Sequence, residues 1–196
     1  MREKIQESIR ADLQAHLDLF AELQKLSEEV SDVAAIISES IQRKGKLLLC
    51  GNGGSAADCQ HIAAEFTGRF VEDRIPLPAL ALTTDSSALT CIGNDYSFED
   101  IFSRQVKALG LPGDCLLAIS TSGNSENVIQ AVKAAKENDV YTIGLLGRDG
   151  GLLASYCDYS IIVPSDVTAR VQEGHIFIGH AICGAVEKIL AHGRWI

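Results

Sequence analysis

The sequence has little of the positive charge that nucleic acids and anionic membranes select in a partner. It contains 17 lysines and arginines against 26 aspartates and glutamates, which gives a formal net charge of −9 at pH 7. A phosphate backbone is bound mainly by pairing it with Lys and Arg side chains. We therefore expect neither nucleic acid nor a membrane surface as a partner.

Long apolar runs and cysteine pairs are also missing. No run reaches the ~18 apolar residues of a membrane span, and the N-terminal stretch MREKIQESIRADLQ carries acidic residues where a signal peptide is apolar. The six cysteines include no C-x-x-C pair, and several lie in apolar runs typical of strands. They are interpreted as reduced core residues, so the sequence predicts a cytoplasmic location.

The chain also lacks internal repeats and low-complexity linkers, and it has only four prolines. With 196 residues, 46% of them hydrophobic, it can bury one core of ordinary size. Apolar spacings of three and four predict one helix from Ile5 to Leu23 and another from Val30 to Ile41, which Gly45 is placed to end. We expect an N-terminal helical extension over residues 1–45 and the main unit over residues 46–196.

Five short apolar runs alternate with helical segments after residue 45. The runs are KLLLC, ALAL, DCLLAI, YTIGLL and YSIIV, and a last helix begins near Thr168. This alternation predicts an α/β fold with five buried parallel strands between layers of helices. Open parallel sheets bind ligands at the carboxyl ends of their strands, so the loops at that edge are the candidates for a site.

Two of these loops lead into helix N-termini and are rich in hydrogen-bond donors. The glycine loop, residues 51–58, reads GNGGSAAD, and the hydroxyl loop, residues 120–125, reads STSGNS. Backbone N–H groups at a helix N-terminus bind anions, although Ser and Asn also cap ordinary helices. Neither loop has a lysine or the G-x-G-x-x-G spacing, which disfavours ATP and NAD and favours a small phosphomonoester.

Imidazole and carboxylate groups lie on the helices beside these loops. His61 and Glu65 are one turn apart on one helical face, where they could hold a metal, move a proton, or form a solvent-exposed pair. Gln172 and His180 add polar groups to the apolar last helix. For His180 a core histidine is the structural alternative, and His175 is interpreted in that way.

The segments CGNGGSAAD, QHIAAEFTGRF, CIGNDYSFEDIFSRQV, ISTSGNSENVIQA and TARVQEGHIFIGH together resemble the SIS-domain family, and within it the phosphoheptose isomerases. The resemblance covers nearly the whole chain. It implies a three-layer, flavodoxin-like fold and a homotetramer with active sites between subunits. It also implies conversion of D-sedoheptulose 7-phosphate to D-glycero-D-manno-heptose 7-phosphate through an enediol, the first step of ADP-heptose biosynthesis for the lipopolysaccharide core.

The same resemblance implies residue roles. Glu65 and His180 would be the catalytic proton-transfer pair. One zinc ion per subunit would be held by His61, Glu65, Gln172 and His180. The substrate would contact residues of the glycine loop, the segment GND and the hydroxyl loop, with one carboxylate and one amide from the helices: Asn52, Gly53, Gly54, Ser55, Glu65, Asn94, Asp95, Ser120, Thr121, Ser122, Ser125 and Gln172.

The spacing of Gln172 and His180 conflicts with a shared metal ion on one straight helix. Eight residues of α-helix separate the two Cα atoms by ~12 Å and turn the side chains ~80° apart. Either the helix starts late and bends near Gly174, or one of the two ligands comes from a neighbouring subunit.

Two non-enzymatic functions are alternatives. One is a SIS-family protein that binds the replication initiator, but such relatives tend to lose the groups at the positions of Glu65 and His180, and this chain keeps both. The other is a phosphosugar-sensing module, which is usually fused to a DNA-binding domain. No helix-turn-helix segment or basic arm is evident in this sequence.

Overall fold

The computed structural model describes residues 1–193, and five strands lie in that part of the chain where the apolar runs predict them. They pair in parallel in the order β2-β1-β3-β4-β5. The strands are β1 (Leu47–Gly51), β2 (Ala79–Ala81), β3 (Cys115–Ser120), β4 (Tyr141–Gly147) and β5 (Tyr159–Val163). The predicted α/β fold is confirmed.

Eight α-helices connect and flank these strands within residues 1–193. Both predicted N-terminal helices are present, separated by a short 3-10 turn over Gln24–Leu26. The helices are α1 (Arg2–Leu23), α2 (Ser27–Gln42), α3 (Gly54–Thr67), α4 (Ser86–Asp95), α5 (Ser103–Leu109), α6 (Glu126–Glu137), α7 (Gly151–Tyr156) and α8 (Thr168–His192).

The sheet is covered on both faces, because alternate side chains of each strand enter different cores. On β3, Leu117 and Ile119 join the core formed with α2, α3 and α8. Leu116 and Ala118 point to the opposite face and join the core formed with α5, α6 and α7. Burial on both faces explains why the strands are continuous apolar runs rather than alternating ones, and it confirms the three-layer arrangement.

The two N-terminal helices are buried to different extents. In α2, Val33, Ile37 and Ile41 are fully buried in the same core as the sheet. In α1 only the last turns are buried, and four apolar side chains of its stripe are more than half exposed: Ile5, Ile9, Leu13 and Leu17. The division of the chain between residues 45 and 46 stays a prediction, and the last three residues of the predicted unit 46–196 lie outside the described residues.

Helix α8 is continuous from Thr168 to His192 and passes through Gly174 without interruption. The alternative in which this helix starts late is therefore wrong. Within the described residues, α8 is the one helix that is long and apolar enough to span a membrane by length and composition, and half of that apolar window is buried. Its buried side chains pack in the core against the sheet, which accounts for its composition: Val171, Ile178, Ile182, Val186 and Leu190.

Candidate active site

The glycine loop and the hydroxyl loop are neighbours at the carboxyl edge of the sheet, because β1 pairs directly with β3. The glycine loop leads into α3 at Gly54, and the hydroxyl loop leads into α6 at Glu126. Gly53 has a φ of 56°, which favours glycine over any residue with a side chain. The N-termini of α3 and α6 thus start side by side, where their free N–H groups can bind an anion.

A pair of amide side chains ties the two loops together. The Asn52 amide donates to Oδ1 of Asn127 at 2.8 Å, and the Asn127 amide donates back to Oδ1 of Asn52 at 2.8 Å. Asn127 is buried on the first turn of α6. Asn127 was not predicted as a site residue, because an asparagine near a helix start is ordinary, and only the fold places it opposite Asn52.

The hydroxyl loop is a tight turn held by its own side chains. Ser120 Oγ accepts the N–H of Gly123 at 3.1 Å and lies 3.1 Å from Ser125 Oγ. Ser120 is buried, whereas Thr121, Ser122 and Ser125 remain partly exposed at the edge of the sheet. The loop therefore presents several hydroxyls and backbone N–H groups on one small surface.

A third loop, residues 148–150 between β4 and α7, packs against the hydroxyl loop together with the first turn of α7. The backbone of Gly123 has a φ of 66°, and a Cβ there would overlap the carbonyl oxygen of Gly150. The Asn124 side chain accepts the N–H of Leu152 at 3.0 Å and donates to the Ser122 carbonyl at 2.9 Å. This loop was not predicted as part of the site, although the adjacent glycines Gly150 and Gly151 are a signal for it.

Three side chains from two helices form a group that could hold a metal ion: His61 and Glu65 on α3 and His180 on α8. Nε2 of His61 lies 2.8 Å from Nε2 of His180 and 3.3 Å from Oε1 of Glu65. The three ligand atoms all lie within 4.8 Å of one another. In a tetrahedral zinc site with bonds of ~2.0–2.1 Å, ligand atoms are ~3.3 Å apart, so donor types and spacing fit such an ion.

Close packing of α3 against α8 brings this group together. Gly179 lies so near Ile62 that a Cβ would contact the Ile62 side chain at 2.6 Å. The ring of Phe70 stacks on the ring of His180, with centroids 5.5 Å apart and an interplanar angle of 23°. His180 is partly exposed at the site, whereas His175 on the same helix is the fully buried core histidine.

Asp58 adds a further carboxylate one turn before His61 on α3. Burial raises the pKa of Asp58, and the nearby imidazole of His61 opposes this effect. The Oδ2 atom of Asp58 is buried without a hydrogen-bond partner in the described chain. Asp58 was not predicted as a site residue, although its spacing of three residues from His61 places it on the same helical face.

Gln172 lies apart from this group, against the N-terminus of α3. A Cβ at Gly54 would overlap the Gln172 amide. Helices α3 and α8 run in the same direction, so Gln172 is beside Gly54 while His180 is beside His61, about two turns further along. Supply of one ligand by a neighbouring subunit stays a prediction.

Asn94 and Asp95 lie at the exposed end of α4. The Asn94 amide donates to Oδ1 of Asp95 at 2.8 Å, and the Cys91 thiol donates to Oδ2 at 3.4 Å. These two hydrogen bonds lower the pKa of Asp95. No hydrogen bond within the described residues joins Asn94 or Asp95 to the other predicted site residues, and their substrate role stays a prediction.

Comparison with known proteins finds relatives that belong to one family. Residues 13–147 match the SIS domain family. A phosphoheptose isomerase of Rhodospirillum rubrum is 50% identical over 95% of this chain and 99% of the relative. One of Clostridium acetobutylicum is 52% identical over 97% of this chain and 96% of the relative. The solved structure of the Neisseria gonorrhoeae phosphoheptose isomerase is 49% identical, with a TM-score of 0.90 over 94% of this chain and 99% of that chain.

Proposed function

The chain belongs to the phosphoheptose isomerase family of SIS domain proteins, and we propose that it converts D-sedoheptulose 7-phosphate to D-glycero-D-manno-heptose 7-phosphate. The observation that carries the proposal is the meeting of Glu65 and His180 beside two loops suited to a phosphate. Aldose–ketose isomerisation moves a proton between C1 and C2 of the sugar. It needs a base beside those carbons and a proton carrier at the oxygens.

The phosphate binds at the hydroxyl loop in this proposal. Neutral donors hold a phosphomonoester by several hydrogen bonds, and the N-terminus of α6 adds a favourable dipole. The side chains that hold the phosphate are Ser120, Thr121, Ser122 and Ser125. The remaining sugar contacts come from Asn52, Gly53, Gly54, Ser55, Asn94, Asp95 and Gln172.

Glu65 is the base that takes the proton from carbon, and His180 passes a proton at the sugar oxygens. A cation bound to a carboxylate makes that carboxylate a weaker base. A zinc ion, when bound, polarises the carbonyl oxygen and stabilises negative charge there. The weaker base is then offset by a more acidic carbon.

We propose one zinc ion per subunit, held by His61, Glu65 and His180. Two imidazoles and a carboxylate are a common zinc ligand set that leaves a fourth position open. Gln172 would be the fourth ligand, and in this proposal a neighbouring subunit would supply it. The support is geometric, because this chain's own Gln172 packs against Gly54, about two helical turns from His180.

We propose a cytoplasmic homotetramer with active sites between subunits, acting in the first step of ADP-heptose biosynthesis for the lipopolysaccharide core. The exposed apolar stripe of α1 supports assembly, because four large apolar side chains in a row are unusual on a free surface. A second copy of the chain would cover this stripe.

Replacing Glu65 with Gln tests the proposal. The amide keeps the shape of the site but cannot accept the proton, so turnover of sedoheptulose 7-phosphate should be lost while phosphosugar binding persists in calorimetry. Glu137→Gln is the matched control, since Glu137 is exposed at the far end of α6 in a pair with Lys107. Wild-type turnover by Glu65→Gln would overturn the assignment, and binding without turnover in the wild type would favour the initiator-binding or sensing alternatives.

A further inference from the structure

A buried ion pair lies next to the residues of the proposed metal site. Nε of Arg74, in the loop after α3, is 3.0 Å from Oε1 of Glu187 on α8, and both side chains are only 3% exposed. We propose that Arg74 and Glu187 are positioning residues that set the geometry of Glu65 and His180, an inference that rests on the proposed function. A contribution to stability does not by itself explain such a pair, because replacing both charges with apolar residues of similar volume often leaves the folded state equally or more stable.

Arg74 holds the end of α3 that carries Glu65. Its Nη2 donates to the carbonyl oxygen of Glu65 at 2.7 Å, and its Nη1 donates to that of Phe66 at 2.8 Å. The last carbonyls of a helix have no partner inside the helix, so the guanidinium replaces the missing turn. The backbone from which the Glu65 carboxylate extends is therefore fixed to a buried charge.

Glu187 holds the loop that packs against His180. Its carboxylate accepts the N–H groups of Phe70 at 3.0 Å and of Val71 and Glu72 at 3.2 Å. The Phe70 ring then stacks on His180, which lies two turns before Glu187 on α8. The orientation of the His180 imidazole thus depends on a loop that the Glu187 carboxylate anchors.

The ion pair links the contacts that Arg74 makes with α3 to the contacts that Glu187 makes with the Phe70 loop. Arg74 fixes the α3 side of the ligand group, Glu187 fixes the α8 side through Phe70, and the guanidinium–carboxylate bond sets the distance between them. Neither residue is among the three ligands. Substitution of residues that orient metal ligands typically lowers metal affinity or activity ~10–100-fold.

The test is zinc affinity of the metal-free protein, measured by competition with a chromophoric chelator. The variant Arg74→Met/Glu187→Leu removes both charges and leaves no unpaired buried charge. We expect zinc to bind ~10–100-fold more weakly, kcat to fall, and KM to stay near the wild-type value because Asn124 and Gly150 support the hydroxyl loop independently. Wild-type zinc affinity and kcat in the folded variant would overturn the inference.

Two further variants separate positioning from stability. Lys46→Met/Asp114→Leu removes a second ion pair, between a buried Asp114 and a partly exposed Lys46, with a 2.5 Å contact at the amino ends of β1 and β3. This variant should lower thermal stability without changing zinc affinity. Phe70→Leu keeps the backbone bonds to Glu187 but removes the ring from His180, and it is informative if the double variant does not fold. An unchanged zinc affinity in Phe70→Leu would count against the inference.

Zinc binding is measured without turnover, so the two proposals fail in different ways. A wild-type protein that binds zinc but does not isomerise sedoheptulose 7-phosphate would overturn the proposed reaction, and the variants would still decide the role of Arg74 and Glu187. A wild-type protein that binds no zinc would overturn the positioning inference.

Discussion

His175 makes the stability of this protein depend on pH in a way that can be calculated. The side chain is fully buried on α8. Burial lowers the pKa of His175 from 6.5 to about 4, and the nearby Leu146 carbonyl opposes this only in part. Between these two pKa values the unfolded chain binds a proton that the folded chain excludes, so stability falls as the pH falls.

The size of the effect follows from the two pKa values. One pKa unit corresponds to ~1.4 kcal/mol, so the change from 6.5 to about 4 corresponds to about 3 kcal/mol. This stabilisation of the folded state is fully present above pH 6.5, the pKa of His175 in the unfolded chain. It is lost progressively as the pH falls toward about 4, the pKa of His175 in the folded chain. Between about pH 7.5 and about pH 5, His175 should therefore cost the folded state about 2 kcal/mol.

Urea unfolding of the metal-free protein at these two pH values measures this effect, with His175→Leu as the comparison. The wild type should lose about 2 kcal/mol more than the variant between the two conditions, because leucine has no proton to bind. Both proteins are compared at one concentration, since the proposed assembly would also contribute to apparent stability. The same pH dependence in the two proteins would show that protonation of His175 does not control the stability.

Two further substitutions test the loops at the carboxyl edge. Gly123→Ala adds a Cβ that overlaps the Gly150 carbonyl, at a residue whose φ is positive. KM for the sugar phosphate should therefore rise ~10-fold or more in steady-state assays of the folded variant. An unchanged KM would contradict the support that the third loop gives to the hydroxyl loop. Asn127→Leu removes both hydrogen bonds to Asn52 and should weaken phosphosugar binding about tenfold in calorimetry. Wild-type affinity in this variant would show that Asn52 does not need these hydrogen bonds for phosphosugar binding.

The strands and the position of the two loops could be predicted because they depend on local sequence. Buried parallel strands need continuous apolar runs, and the chain has five of them. The glycine and hydroxyl loops follow two of these runs, and adjacent strands bring them together. His61 and Glu65 share a face because four residues make about one helical turn.

The remaining site depends on contacts between distant parts of the chain. His180 meets His61 across 119 residues of sequence, and nothing in the local pattern distinguishes it from a core histidine such as His175. Its place in the site was expected from the family resemblance alone. Asn127, Arg74 and Glu187 were missed for the same reason, since their partners are set by how helices and loops pack.

Turnover of sedoheptulose 7-phosphate by the purified protein tests most directly whether the chain is a zinc-dependent isomerase. Turnover is measured before chelation, after chelation and after zinc is restored, and the metal content is determined on the same sample. We expect turnover to be lost on chelation and restored by zinc. Turnover that persists after complete metal removal would contradict the metal centre and leave Glu65 and His180 as a metal-free acid–base pair. No turnover in any state would contradict the isomerase assignment itself.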